Sequence, residues 1–149
     1  MIDAEEKRAT LLAVYPLFKE EVYRRREQIM RWTAIGAVSL STVILILVLT
    51  QARLSSGSRL LLMAAILLLT VTFASLIIQQ QRRHQQAKQT LIDLEQTLGF
   101  FDDQAILSKG SLYPAHWQTD WKRDTTVGWS LILLGLLALI AILAAASAS

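Results

Sequence analysis

The chain has 149 residues, a formal net charge of +3 and a hydrophobic content of 53%. That content is unusual for a soluble domain but ordinary for helices that face lipid. The sequence has no cysteine, which excludes disulfides, thiolate metal sites and cysteine nucleophiles. It also has no asparagine, which excludes N-glycosylation.

Three uncharged apolar runs, residues 33–50, 60–78 and 127–146, determine the class of protein. Each is about long enough to cross a ~30 Å hydrocarbon core at ~1.5 Å per residue. None of the 15 basic and 12 acidic residues lies inside a run, so no charged transport path is expected within the membrane. The sequence therefore predicts an all-α, polytopic membrane protein with three transmembrane helices.

Residues 1–32 form the first predicted segment, an amphipathic cytoplasmic helix. Acidic residues stand four positions before basic ones, as in Glu20/Arg24 and Glu21/Arg25, the order that favours a helix. Pro16 cannot donate a backbone hydrogen bond, so a break or kink is expected there. The apolar stripe at helical spacing includes Tyr15, Phe18 and Val22.

Residues 33–78 are predicted to form a transmembrane hairpin, because a short Ser/Gly-rich turn joins the runs 33–50 and 60–78. The second helix continues without a breaker as a cytoplasmic extension over residues 79–99, about 30 Å long. Gly99 is the expected stop. Leu91, Leu94 and Leu98 are predicted to pack against the stripe of the first helix, giving a cytoplasmic helical stalk.

Residues 100–126 are rich in aromatic and charged side chains and are predicted to form an interfacial loop at the lipid headgroups. Basic residues near the predicted membrane ends of the helices are also expected to lie at the level of the lipid headgroups, because anionic lipids attract them. Headgroup contacts are thus expected for Arg24, Arg25, Arg26, Arg31, Arg82, Arg83, Trp117 and Trp121.

Residues 127–149 form the predicted third transmembrane helix. Small residues allow membrane helices to approach closely, because lipid supplies no hydrophobic drive for their association. Intramembrane packing is therefore expected at Ala37, Ser41, Gly135 and Ala138.

Candidate chemistry outside the runs is sparse. Asp102 and Asp103 follow Gly99 and are interpreted as turn or cap residues, and His116 with Asp120 is a weak metal-ligand pair. His84 lies among Arg and Gln residues, so a hydrated ring at headgroup level is expected rather than a cofactor ligand. No catalytic residue, metal or cofactor is predicted, and an enzyme is not expected.

The basic residues set the predicted orientation. The N-terminal segment has seven and residues 79–126 have six, against two in the first turn and none after Arg123. The positive-inside bias therefore predicts a cytoplasmic N-terminus and an external C-terminus, in a membrane of the bacterial inner-membrane type.

A membrane hairpin with long cytoplasmic helices, over residues 17–98, resembles the layout of SLATT-type small bacterial membrane effectors, which are associated with nucleotide-triggered defence. The third span departs from their two-span pattern. The resemblance implies a self-oligomerising, pore-forming or membrane-disrupting effector. A pore would need a water-tolerant helix face, and the candidate for it is the hydroxyl group of Ser39, Ser41 and Thr42 on the first span with Thr70, Thr72 and Ser75 on the second. This effector is the alternative prediction. The first prediction, which the residues themselves favour, is a non-catalytic membrane subunit or scaffold that acts through helix–helix assembly in the membrane and the cytoplasmic helical stalk. Its partners would be membrane lipids and either further copies or other membrane subunits, with no nucleic acid.

Cysteine labelling tests the orientation, since the chain has no native cysteine. In intact cells, an impermeant thiol reagent is expected to label Ser56→Cys and to spare Ser108→Cys. The reverse pattern would overturn the predicted orientation.

Overall fold

A computed structural model describes residues 4–50, 54–102, 111–114 and 125–147, and within these ranges the secondary structure is helical. Helix α1 spans Ala4–Thr50, α2 spans Ser56–Thr97 and α3 spans Thr126–Ser147. Each contains a stretch that is long and apolar enough to cross a membrane. The prediction of an all-helical, multi-pass chain with three candidate spans is confirmed.

The expected break at Pro16 is wrong, because α1 continues through it. Proline removes one hydrogen bond to the carbonyl four residues earlier, here that of Leu12. Leu12 and Pro16 are both exposed, so the turn that loses this bond lies at the surface of the polar part of α1. The helix therefore tolerates the proline where a packed interior would not.

Both ends of α2 are fixed by local hydrogen bonds. At the start, the Ser58 amide donates to Ser55 Oγ at 3.3 Å, which is an N-cap interaction. At the end, Gly99 adopts a positive φ of 78°, and the Phe100 amide donates to the Glu95 carbonyl at 3.0 Å. This is a Schellman motif, which needs a residue that tolerates the left-handed region. The prediction that Gly99 stops the helix is confirmed.

The chain divides into two compact units, described separately below. The polar unit comprises residues 1–27 and 81–124, and the apolar unit comprises residues 28–80 and 125–149. The boundaries fall inside α1 and α2, so each of these helices contributes one stretch to each unit.

The apolar unit has a core made by one face of each helix. Its buried members are Ile29, Leu40, Ile66, Phe73, Ile77, Leu134, Ala138, Ala141 and Ala145. On α3, the buried residues recur at spacings of three and four, as expected for one helix face. The opposite faces carry exposed Leu, Ile and Val side chains, which suit a lipid surround.

Close approach of helices in this core depends on Gly36. A Cβ at that position would lie 2.9 Å from Leu134 Cδ2 and 3.1 Å from Phe73 Cγ. By contrast, a Cβ at Gly135 would meet no atom within 4 Å. The two glycines therefore have opposite surroundings, although both lie within apolar runs.

Replacement of Gly36 by leucine is expected to lower the free energy of unfolding by about 1–3 kcal/mol, because overpacking forces Phe73 and Leu134 to move. Gly135→Leu is the matched control and should change it by less than about 0.5 kcal/mol, since open space surrounds that position. Denaturant unfolding followed by circular dichroism measures both, in detergent and at a protein concentration at which light scattering shows a monomer, so that association does not contribute to the free energy. Equal losses in the two variants would contradict the packing described here.

Candidate functional site

A cavity of about 600 Å³ lies in the polar unit. Helix α1 lines it with Tyr15, Lys19, Val22, Tyr23 and Arg26. Helix α2 lines it with His84, Lys88, Leu91, Ile92 and Glu95. Phe101 and Tyr113, which follow α2, complete the lining. The volume is within the ~300–1,000 Å³ usual for small-molecule sites.

The two helices contribute to the cavity with one shared spacing. Counting from Tyr15 on α1 and from His84 on α2, the lining residues fall at positions i, i+4, i+7, i+8 and i+11. Residues at these intervals share one helix face over three turns. Each helix thus presents a single continuous stripe to the cavity.

Three side chains form a hydrogen-bonded chain in the lining. The Tyr15 hydroxyl donates to Glu95 Oε1 at 3.0 Å and lies 3.1 Å from the Tyr113 hydroxyl oxygen. Because the only hydroxyl hydrogen of Tyr15 is directed at Glu95, Tyr113 donates the second bond. The chain joins α1, α2 and the segment at residues 111–114.

Partial burial changes the acidity of two of these groups. It raises the pKa of Glu95, and the Tyr15 hydrogen bond and the charge of Lys19 only partly oppose that rise. Burial likewise raises the pKa of Tyr15, and its hydrogen bonds to Tyr113 and Glu95 add to the rise. Tyr15 therefore stays a neutral hydrogen-bond donor at physiological pH.

Aromatic rings form one wall of this site. Phe100 meets Tyr15 edge-on with ring centroids 5.5 Å apart, and it meets Tyr113 in the same way at 5.7 Å. The Phe101 and Tyr113 centroids are 5.9 Å apart. The Tyr113 amide also donates to the Phe100 carbonyl at 3.0 Å, which holds residues 111–114 beside the end of α2. Edge-to-face pairs of this kind stabilise by about 0.5–1.5 kcal/mol each.

His84 is buried, with 5% of its surface exposed, and its Nδ1 donates to the Val22 carbonyl at 3.2 Å. The expectation of a hydrated ring is wrong. Arg82 and Arg83 are exposed, as their polar character suggests, but they lie on a different face of α2 from His84. One helix turn therefore carries both a hydrated face and a face directed at α1.

Three basic side chains line the cavity: Lys19, Arg26 and Lys88. Lys19 Nζ lies 5.9 Å from the centroid of the Tyr15 ring, which is within range of a cation–π interaction. Arg24 and Arg25, outside the lining, form ion pairs with Glu20 and Glu21. Among the residues that the structure describes, neither Arg26 nor Lys88 forms an ion pair.

The side chains predicted to pack as a stalk all lie in the polar unit. Leu91, Leu94 and Leu98 are buried, while Tyr15, Phe18 and Val22 are half-buried. Of the predicted headgroup contacts, Arg24, Arg26, Arg31, Arg82 and Arg83 are exposed and Arg25 is half-buried. Trp117 and Trp121 lie outside the described residues.

The four residues predicted for intramembrane packing occupy different faces. Ala138 is buried in the core of the apolar unit, and Ala37 packs against that core. Ser41 and Gly135 are exposed. Two of the four residues thus make contacts inside the chain itself, and of the four only Ser41 and Gly135 are exposed to another helix.

The sequence did not predict several residues of the cavity lining as site residues, in particular Lys19, Lys88, Glu95 and Tyr113. The signal that could have found it is the matched spacing of the two stripes, in which polar and aromatic residues share a face with apolar ones. Within the described residues, no group of three or more His, Asp or Glu is placed to hold a metal ion.

Comparison of the chain with protein-family models, curated proteins and solved structures finds no significant match. The resemblance to SLATT-type effectors therefore stays a prediction from architecture.

Leu94 tests whether the packing in the polar unit contributes to stability. It is 8% exposed, so Leu94→Ala is expected to cost about 2–5 kcal/mol of unfolding free energy through lost burial and a cavity. Leu12→Ala is the control, since Leu12 is 48% exposed in the same unit. Thermal or denaturant unfolding in detergent measures both, and a loss no larger for Leu94 than for Leu12 would be evidence against a packed unit.

The raised pKa of Glu95 predicts that the stability of the fold depends on pH. A carboxyl whose pKa is raised on folding stabilises the fold when it is protonated, and that contribution disappears as the pH rises through the raised pKa. Wild type is therefore expected to lose stability as the pH increases above the ordinary range of a glutamate. The groups facing Glu95 are Tyr15 and Lys19 on α1 and, through Tyr15, Tyr113.

The matched variant is Glu95→Gln, which keeps an oxygen acceptor for Tyr15 but cannot ionise. Its melting temperature, followed across the same pH series in neutral detergent, should lack the loss that wild type shows. An identical pH profile for the two proteins would assign the dependence to another group.

Proposed function

We propose that the chain is a non-catalytic, multi-pass membrane scaffold that associates with a second copy of itself through the outer face of α3. The spans contain no charged residue, and the sequence has no cysteine and two histidines. The spans therefore provide few groups for intramembrane acid–base or nucleophilic chemistry. Assembly is the role that these helices support best.

The observation that carries the proposal is the contrast between the glycines. Glycine costs about 1 kcal/mol relative to alanine in a helix, so a glycine inside a span needs a compensating contact. Gly36 has one inside the chain, where Phe73 and Leu134 occupy the space that a Cβ would fill.

Gly128 and Gly135 have no such contact inside the chain. Both are exposed on α3, and a Cβ at either would meet nothing within 4 Å. They are seven residues apart and so share a helix face, away from the face that contains Leu134 and Ala138. Small residues on an outer apolar face allow another helix to approach closely in the membrane.

The pore-forming alternative has less support from the hydroxyl groups of the spans. Ser39, Thr42, Thr70 and Thr72 each donate to the carbonyl four residues earlier, at 2.8–2.9 Å. Their hydroxyl hydrogens are therefore satisfied within their own helices, which is compatible with lipid and requires no water. A scaffold needs no water-filled face.

The finer architecture belongs to the same proposal. Residues 33–78 would form a transmembrane hairpin, and the polar unit would be the cytoplasmic stalk. Two contacts support this pairing within the polar unit, Tyr15 with Glu95 and Val22 with His84, because later residues of α1 meet earlier residues of α2. The orientation, with the N-terminus in the cytoplasm and the C-terminus outside, rests on the distribution of basic residues.

Gly135→Leu tests the assembly. The larger side chain should separate the paired α3 helices and shift the complex toward monomer, while leaving the fold of each chain unchanged. Size-exclusion chromatography with light scattering in mild detergent measures the mass, and circular dichroism checks the fold.

The matched control is Leu136→Ile, a volume-conserving change at an exposed position of the same helix, which should leave the assembly unchanged. A wild type that is monomeric and co-purifies with no other membrane subunit would overturn the scaffold proposal. A constant wild-type complex with a different subunit would replace self-association by a mixed assembly.

A further inference from the structure

We propose that the cavity of the polar unit binds an organic phosphate, with the phosphate held by Arg26 and Lys88 and an aromatic or apolar body placed against the tyrosine and phenylalanine rings. The inference does not depend on assembly through α3. It rests on the charge, the ring content and the volume of one cavity.

The basic groups favour a compact anion. Arg26 and Lys88 line the cavity from different helices, and Lys19 lines it from α1, seven residues before Arg26. Neither Arg26 nor Lys88 forms an ion pair with a described residue, whereas the neighbouring Arg24 and Arg25 do. Lys19 interacts with Glu95 in the lining, so Arg26 and Lys88 are the lining cations without an acidic partner among the described residues, and an anion bound beside them would stabilise their charges.

The rings favour a ligand with a flat or apolar part. Tyr15, Tyr23, Phe101 and Tyr113 all line the cavity, together with Val22, Leu91 and Ile92. Aromatic side chains provide a large contact area and fixed geometry for such a group. Bare phosphate would leave this surface unused, and 600 Å³ is large for an ion of that size.

The charged residues near the two ends of the cavity set the expected orientation of the ligand. Glu95 lies at the opposite end of its stripe from His84, and Tyr15 lies at the opposite end of its stripe from Arg26. An anionic group is repelled by Glu95 when that carboxylate is ionised, so the phosphate belongs toward Arg26. The body then lies toward Tyr15, Tyr113 and Phe101.

Two sources could supply such a ligand. One is a soluble organic phosphate, and the other is the phosphate of an anionic lipid, since Arg26 and His84 are the lining residues closest in sequence to the apolar runs. The chemistry of recognition is shared, so the experiment separates the two.

The test is calorimetric titration of the full-length protein, in neutral detergent, with 1-naphthyl phosphate, inorganic phosphate and 1-naphthol. Wild type should bind 1-naphthyl phosphate more tightly than either fragment. Arg26→Gln and Lys88→Gln should each weaken binding about tenfold, the order expected for loss of one charged hydrogen-bond donor. Lys88→Arg should restore most of the affinity.

The controls are Arg24→Gln on α1 and Arg83→Gln on α2, which remove the same charge from exposed positions outside the cavity. Both should bind as wild type does. Equal weakening by these controls would assign binding to general surface charge and overturn the proposal. So would the absence of binding, or inorganic phosphate binding as tightly as the naphthyl ester.

The lipid arm repeats the titration in phosphatidylcholine bilayers with and without phosphatidylglycerol. Competition by phosphatidylglycerol that is lost in Lys88→Gln would identify a membrane lipid as the source. Unchanged affinity would identify a soluble phosphate. Unaltered melting temperatures of the variants show that the losses are not losses of fold.

Discussion

Hydrogen bonding of the backbone in hydrocarbon is the constraint on which this architecture depends. A segment that crosses a bilayer must satisfy its own amides and carbonyls, and among single segments only a helix does so. The three apolar runs accordingly lie within uninterrupted helices, and the hydroxyls of Ser39, Thr42, Thr70 and Thr72 donate to carbonyls of their own helix. These four hydroxyl groups are satisfied within their own helices, which leaves the surrounding helix surface free for apolar packing.

Packing of those surfaces then separates an inner from an outer face. Gly36 admits Phe73 and Leu134 to the inner core, and Ala138, Ala141 and Ala145 keep α3 close along the same side. Since lipid is as apolar as leucine, burial alone gives little drive for association inside the membrane, and the fit between side chains decides the contact. A Cβ at Gly135 would meet no atom within 4 Å, so no contact inside the chain explains that glycine, and the proposed assembly would provide one.

The sequence predicted the parts of the fold that depend on local physics. Apolar run length gave the three helices, and the positive-φ requirement placed the stop at Gly99. The break predicted at Pro16 does not occur, because a proline in an exposed helix turn removes only one backbone hydrogen bond. The prediction of a hydrated His84 ring was wrong because the composition of the neighbouring residues does not indicate which face of α2 packs against α1. The cavity was also missed, because its lining comes from two helices distant in sequence, and residues 111–114 join it only through contacts of Tyr113.

The polar unit shows why a cavity is tolerable where it occurs. Its buried apolar side chains among the described residues are Leu91, Leu94 and Leu98, whereas the apolar unit has nine buried core residues. Leu91 lines the cavity as well as being buried, and the hydrogen bonds of Tyr15 with Glu95 and Tyr113 connect the walls. A unit joined by directional polar contacts can keep an open space that apolar packing would close. A bound phosphate would add contacts only in the folded unit, and so would stabilise the unit that has fewer buried apolar side chains among the described residues.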